Sequence, residues 1–403
     1  MDASVAFVPS GSVTSPRGFQ AGATYAGLKK KADGTLDLGI LFAEVPCAVA
    51  GRFTSNKIKA APVLVCQQRL KRGKARAVVV NSGCANACIG AAGLADATRM
   101  AELAAGHIGV SPQDVLVAST GVIGQRLPVE LIEMGMSQIA LSPEGGPALA
   151  RAMMTTDTVP KEVAVSVAQG EFVIGGVAKG VGMMHPSLAT LLCFLTTDAA
   201  VTADFLKTAL AQAVDVSFNM VSVDGCSSTN DTVLLMASGL AGNEPISKDS
   251  RRAETFQKAL DQACIYLARA VARDGEGATK LIEVTVNGAL NLADARLAAR
   301  TIVSSSLLKA AVYGNDPNWG RVMAALGQSG VAVEESKVDL YIGGTCMFRS
   351  GRPQPFDREE AAQMLATGEV VISLNLNRGG DSATAWGCDL SEKYVTINSH
   401  YTT

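Results

Sequence analysis

The stretch AKGVGMMHPSLATLLCFLTTDA, from Ala178 to Ala199, holds the residues best placed to do chemistry. Leu191 to Thr197 reads as a buried strand, and Thr190 opens it after a turn containing His185, Pro186 and Ser187. An internal threonine hydroxyl is a poor nucleophile, because nothing close to it in the sequence is an obvious base. If the Ala189-Thr190 peptide bond is broken, Thr190 gains an α-amine of reference pKa about 7.7 to 8.0, near enough to its own hydroxyl to act as that base. One residue then supplies both nucleophile and base. The cut itself lies within reach of the same hydroxyl. Attack on the Ala189 carbonyl gives an ester that water hydrolyses, and the small Ala189 permits close approach in a strained turn. Against this stands the plainer reading that a threonine opening a buried strand is simply a β-former, and spacing and composition alone favour it.

Other catalytic apparatus is scarce. The nine cysteines, Cys47, Cys66, Cys84, Cys88, Cys193, Cys226, Cys264, Cys346 and Cys388, are odd in number and scattered, with no CxxC pair. They read as reduced, mostly buried thiols rather than a disulfide frame or a metal site. His107, His185 and His400 are the only histidines, so a Ser-His or Cys-His pair is poorly supplied. No metal is expected. With 35 basic and 37 acidic residues the net charge is -2, and no basic run exceeds Lys29-Lys30-Lys31. That leaves no footprint for nucleic acid and favours small-molecule work. The N-terminal MDASVAFVPSGSVTSPRGF lacks a basic n-region and has only a four-residue apolar run. The uncharged stretch from Gly180 to Thr197 is too polar and broken to span a bilayer. A soluble, cytoplasmic protein without a membrane partner is expected.

The elements that must position Thr190 alternate between strand-like and helix-like periods, an α/β or α+β pattern in a chain whose 403 residues favour two domains. ARAVVVNSG reads as a buried strand entering a turn, and LIEVTVNG places Ile282, Val284 and Val286 on one face. The clearest helix runs from about Lys248 to Arg273, with Ser247 as its N-cap and Phe256, Leu260, Cys264, Leu267 and Val271 as an apolar stripe. Gly275 and Gly277 end it and leave Glu276 on a tight loop. Further helices are expected at Val129 to Ala140, Ala203 to Val214 and Ala293 to Ala311, and a strand at Glu369 to Asn375. The terminal YVTINSHYTT alternates like a strand up to Thr403. Two loops, Tyr313 to Arg321 and Leu376 to Leu390, are rich in Gly, Asn and Asp, a composition shared by functional loops and structural turns.

The processing stretch resembles that of the ornithine acetyltransferases, the glutamate N-acetyltransferases of the cyclic arginine pathway. The matching residues are Lys179-Gly180, Gly182-Met183, Pro186, Ala189-Thr190-Leu191-Leu192 and Thr197-Asp198. Other segments similar to the family, in order along nearly the whole chain, are VNSGCANACIG, ASTGVIGQRLP, AMMTTDTVPK, DGCSSTNDTVLL, DGEGATK, GNDPNWGR and AWGCDLSEKYVTIN. Leu191, where Met is frequent, and Ser399-His400 are conservative or peripheral departures.

The resemblance implies a two-domain α/β sandwich of the type shared with self-processing aminopeptidases, divided at about 1-280 and 281-403, with the cut inside the first domain. The processed chains would be 1-189 and 190-403, two of each forming a heterotetramer. It implies that Thr120 and Gly121 form an oxyanion hole and that Thr190 takes the acetyl group of N-acetylornithine and passes it to glutamate. It also implies substrate contacts at Thr156, Lys179, Thr190, Glu276, Asn398 and Thr403. Lys179 suits an α-carboxylate, and Glu276 the distal ammonium of ornithine. No cofactor is required, and acetyl-CoA as a second acetyl donor is left open. The alternatives are a self-processed amidase or aminopeptidase, in which water replaces glutamate, and a non-catalytic amino-acid-binding protein with an intact chain.

Overall fold

The computed structural model describes residues 4–30, 32–167, 170–183 and 191–400, so Ala189, Thr190 and Thr403 lie outside the described residues. Sixteen strands are found among the described residues. Numbered along the chain, they begin with β1 Val5–Phe7, β2 Phe19–Thr24, β3 Leu38–Phe53, β4 Lys74–Cys84, β5 Val115–Val122, β6 Lys161–Val167, β7 Phe172–Lys179 and β8 Leu192–Thr197. There follow β9 Val221–Ser222, β10 Thr232–Ala237, β11 Leu281–Ala289, β12 Asp339–Ile342, β13 Thr345–Arg349, β14 Arg352–Pro353, β15 Glu369–Asn375 and β16 Asp381–Cys388. They form a nine-stranded sheet, ordered β1-β6-β7-β8-β10-β3-β4-β5 with β2 on β3, and a seven-stranded sheet, ordered β14-β13-β12-β15-β11-β16-β9. The expected mixed α/β architecture is observed.

The strand that follows Thr190 occupies the middle of the larger sheet. β8 pairs antiparallel with β7 and parallel with β10. All six of its residues are buried, which explains why LCFLTT carries no alternation of polar and apolar types. Its side chains still alternate in direction. Cys193 and Leu195 enter the core shared with the helices Ala203–Val216 and Ala253–Arg273, while Leu192 and Phe194 enter the core on the other face. The helix Ala253–Arg273 carries the expected stripe, with Phe256, Leu260, Cys264, Leu267 and Val271 fully buried. It packs closely on β7 because Gly176 has no side chain. A Cβ there would lie 2.8 Å from Leu195 Cδ2 and 3.0 Å from Leu267 Cδ1. On its other side the helix reaches β11 through the ion pair between Arg269 and Glu283.

Four boundaries differ from the sequence reading. The long helix begins at Ala253, not Lys248, because Ser247 and Ser250 fold a turn of their own: Ser247 N–H donates to Ser250 Oγ at 2.8 Å, and Ser250 N–H to the Ser247 carbonyl at 3.1 Å. Ser247 is therefore not its cap. The helix expected over 293-311 is two, Leu292–Val303 and Ser306–Tyr313, since Ser305 is extended and its hydroxyl caps the second by accepting from Leu308 N–H. The helix at Val129 stops at Met136, where Gln138 and Ile139 turn back onto the carbonyls of Gly135 and Met136. The C-terminal segment is a helix, Glu392–His400, and not a strand. Val129, Ala203 and β15 begin where the sequence places them. The nine cysteines are free, and six are buried. Among the described residues no helix is long and apolar enough to cross a membrane.

Candidate active site

Thr120, Gly121, Thr156, Lys179, Glu276 and Asn398 line one cavity, although they are spread over most of the chain. Each comes from the end of an element. Thr120 and Gly121 sit near the end of β5, Thr156 follows the helix Gly146–Met153, and Lys179 ends β7. Glu276 lies just beyond the helix Ala253–Arg273, and Asn398 is on the C-terminal helix. Side chains at element ends project past the packed layers, so a cavity forms where those ends meet without opening a void in the core.

Gly121 has φ +129°, a left-handed conformation, and an added Cβ would stand 2.3 Å from the Gly83 carbonyl carbon. Only glycine fits there, and Thr120 is thereby fixed against β4. A second tie comes from Asn230, whose amide donates to the carbonyls of Ala85 at 2.6 Å and Ser119 at 2.8 Å. These bonds bind the segment just before β10 to the end of β5, which carries Thr120.

Glu276, Thr156 and Asn398 are bonded to one another. Thr156 Oγ1 donates to Glu276 Oε1 at 2.7 Å, and Asn398 Nδ2 donates to Glu276 Oε2 at 2.8 Å. A carboxylate held by two donors gives the cavity an anionic group suited to an ammonium. Gly182 lets the chain pass against this group, since a Cβ there would lie 2.5 Å from Glu276 Oε2. Tyr394 lines the cavity one helical turn before Asn398, and burial, aided by Asp224 and Glu276, pushes its phenol up from its ordinary value.

The same wall holds a cation, linked to Glu276 through the neighbouring residues Thr155 and Thr156. Lys179 is buried, with Nζ donating to Thr155 Oγ1 at 2.8 Å and to Thr120 Oγ1 at 3.3 Å. Asp157 lies beneath it, with Oδ2 3.9 Å from Lys179 Nζ and Oδ1 2.8 Å from Lys161 Nζ and 2.9 Å from Gly180 N. Burial alone would raise the Asp157 carboxyl, but Lys179, Lys161 and the Gly180 N–H together bring it down to about 2. Burial pulls the Lys179 amine down from its ordinary value, and Asp157 opposes that shift. A carboxylate depressed in the folded state stabilises the fold above the unfolded carboxylate range and loses that contribution as pH falls through the folded value. Asp157→Asn should therefore cost about 3 to 5 kcal/mol at neutral pH, because it leaves the buried Lys179 ammonium without its counter-charge. Urea unfolding at a series of pH values checks this, and the gap between variant and parent should narrow between about pH 4 and pH 2.

The cavity also contains residues of the family-like motifs to which the sequence alone assigns no role. Thr155 belongs to MTTDT, and Asp224, Cys226, Ser228, Thr229 and Asn230 belong to DGCSSTNDTVLL. Beside them Asp231 is fully buried, and its Oδ1 accepts the N–H of Leu191, the residue covalently bonded to Thr190, at 2.9 Å. An aspartate in a Ser/Thr/Asn-rich segment looks like a solvated turn acid, and only its burial marks it out.

The ArgJ family model matches residues 20–403. A protein of Dehalococcoides mccartyi (strain CBDB1), named arginine biosynthesis bifunctional protein ArgJ, is 51% identical over 405 residues, covering 100% of both chains. The protein of the same name from Bacillus subtilis (strain 168) is 45% identical over 397 residues, 98% of this chain and 97% of that one. Among solved structures, arginine biosynthesis bifunctional protein argJ from Bacillus halodurans is 46% identical with a TM-score of 0.51, covering 52% of this chain and 98% of the solved chain. Similarity of this extent, running through every segment that contributes to the cavity, shows that the chain belongs to the ArgJ family.

Proposed function

We propose that this chain is an acetyltransferase of arginine biosynthesis, which cuts itself between Ala189 and Thr190 and then carries the acetyl group of N-acetylornithine to glutamate on Thr190. The observation that carries this reading is the convergence of Thr120, Gly121, Thr156, Lys179, Glu276 and Asn398 on one cavity. Leu191, next to Thr190, is tied to Asp231, the neighbour of Asn230 in the cavity wall. An anionic group at Glu276 suits the distal ammonium of ornithine, and a hydroxyl beside a backbone turn at Thr120-Gly121 suits a developing oxyanion.

In the cycle, Thr190 Oγ forms a bond to the acetyl carbon and gives its proton to the Thr190 α-amine. The C–N bond breaks, and the proton leaves with ornithine. Glutamate then attacks the ester, and the proton returns to Oγ. The cycle uses no cofactor beyond its substrates. The relatives' name, bifunctional and biosynthetic, favours transfer over hydrolysis and supports a second reaction, for which acetyl-CoA is the donor we assign. A heterotetramer of two chains 1-189 and two chains 190-403 is part of the same reading.

Because one residue holds the acetyl group between two substrates, initial-rate plots of N-acetylornithine against glutamate should be parallel. Intersecting plots would instead indicate direct transfer in a ternary complex and overturn the ester on Thr190.

A further inference from the structure

Asp231 is fully buried against the residue that follows Thr190, and the cycle above gives it no part. Its Oδ1 accepts Leu191 N–H at 2.9 Å. The backbone is locked on both sides of it, since Thr232 N–H donates to the Leu191 carbonyl at 2.8 Å and Thr54 N–H to the Asp231 carbonyl at 3.0 Å. Its Oδ2 is also buried and has no hydrogen-bond partner among the described residues. The hydroxyls of Thr54 and Ser228 lie close by without bonding to Oδ2, and that of Thr54 donates to the Ser228 carbonyl at 2.7 Å. Lys179, on β7, is the charged group that acts on Asp231. Burial holds the Asp231 carboxyl well above its ordinary range, opposed by Leu191 N–H and Lys179. An asparagine could hold Leu191 N–H without burying an acid, so that bond alone does not account for the aspartate or its open oxygen.

We propose that the open oxygen of Asp231 is the seat of the α-amine that the cut creates at Thr190, and that the carboxylate supports this amine as the base of acetyl transfer. This deepens the proposed function and rests on the cut before Thr190. Covalent geometry keeps the Thr190 nitrogen within about 3.7 Å of the Leu191 nitrogen, so a carboxylate bonded to the second is within reach of the first. The cut replaces an amide, whose single N–H is fixed in the peptide plane, by an amine free to turn its N–H bonds toward Oδ2. Without a partner the buried carboxyl resists ionisation, and the amine supplies the donor that favours its charged form. In the working state the carboxylate is ionised and the amine neutral. When Thr190 Oγ bonds to the acetyl carbon, its proton moves to the amine nitrogen, and the carboxylate stabilises the ammonium so formed. As the C–N bond breaks, that proton passes to the ornithine nitrogen. Asp231 neither takes nor gives a proton in the cycle.

A carboxylate beside an amine moves the amine's titration up by about 1 to 3 pH units. The rising limb of kcat/KM for N-acetylornithine follows loss of the amine proton, so in Asp231→Asn it should move down by about one pH unit or more. The plateau above it should fall by about tenfold or more, because a weaker base accepts the Oγ proton less readily. Asparagine keeps an acceptor for Leu191 N–H, so a purely structural role would leave the limb in place. Rates are expressed per cut chain, counted by intact mass. Asp231→Ser replaces Asp231→Asn if the latter is not recovered as soluble protein, and if neither cuts, chains 1-189 and 190-403 produced together supply the cut form.

Carbamoylation by cyanate gives a decisive readout that does not use turnover, because cyanate modifies the neutral amine. Its rate at Thr190, read as added mass on the first peptide of chain 190-403, should show the same downward shift in the variant. A carbamoylation profile that stays in place would overturn the assignment of Asp231, whatever becomes of the plateau. A wild-type protein that is active without a free α-amine at Thr190 would strike instead at the proposed function, so the two failures are told apart.

Discussion

Thr190→Ala should leave a single 403-residue chain under denaturing conditions and lower acetyl transfer by more than about a thousandfold, because in the proposed cycle the same hydroxyl makes the cut and takes the acetyl group. The fold should survive. Leu191 keeps its backbone bond to Asp231, and Leu192 to Thr197 keep their pairing with β7 and β10, none of which depends on the Thr190 side chain. Thr190→Ser retains a hydroxyl and should still cut, more slowly. Gel electrophoresis and N-terminal sequencing of the larger fragment read the first effect, and transfer assays the second. A wild-type chain that is fully active while uncut would contradict both.

Glu276→Gln should lower kcat/KM for N-acetylornithine by roughly tenfold to a hundredfold and leave kcat/KM for glutamate nearly unchanged. The donor carries a distal ammonium and the acceptor a distal carboxylate, so only the donor gains from an anion at that place in the cavity. A hydrogen bond to a charged group contributes about 1.5 to 3 kcal/mol, and tenfold corresponds to about 1.4 kcal/mol. Glutamine keeps the shape of the side chain and can still accept from Thr156. The loss then reports charge rather than packing. Steady-state kinetics with each substrate varied in turn separates the two constants, and an equal fall in both would place Glu276 outside the donor subsite.

What the sequence conveys depends on whether burial imposes a period. The helix Ala253–Arg273 packs one face against β6 and β7, so its stripe is readable residue by residue, and only its start is misplaced, by a serine turn that competes with capping. The helix Glu392–His400 has no buried residue, so its alternation carries no information about structure. Tyr394 and Asn398 there share one helical face because four residues separate them, a relation that a strand reading hides. The convergence of Thr120, Thr156, Lys179, Glu276 and Asn398 follows from the motifs taken together. Asp157 and Asp231 were not legible because an acid beside Thr or Asn reads as a solvated turn. Their importance comes from being sealed beneath Lys179 and Leu191.

Intact mass spectrometry of the purified protein, before and after N-acetylornithine is added without glutamate, tests the acetyl-Thr190 mechanism most directly. Two fragments should be present, with the larger beginning at Thr190. That fragment should gain about 42 Da, the mass of one acetyl group in place of hydrogen, and lose it again when glutamate follows. An intact chain with full activity, or a processed enzyme that turns over without either fragment ever carrying the added mass, would contradict the mechanism.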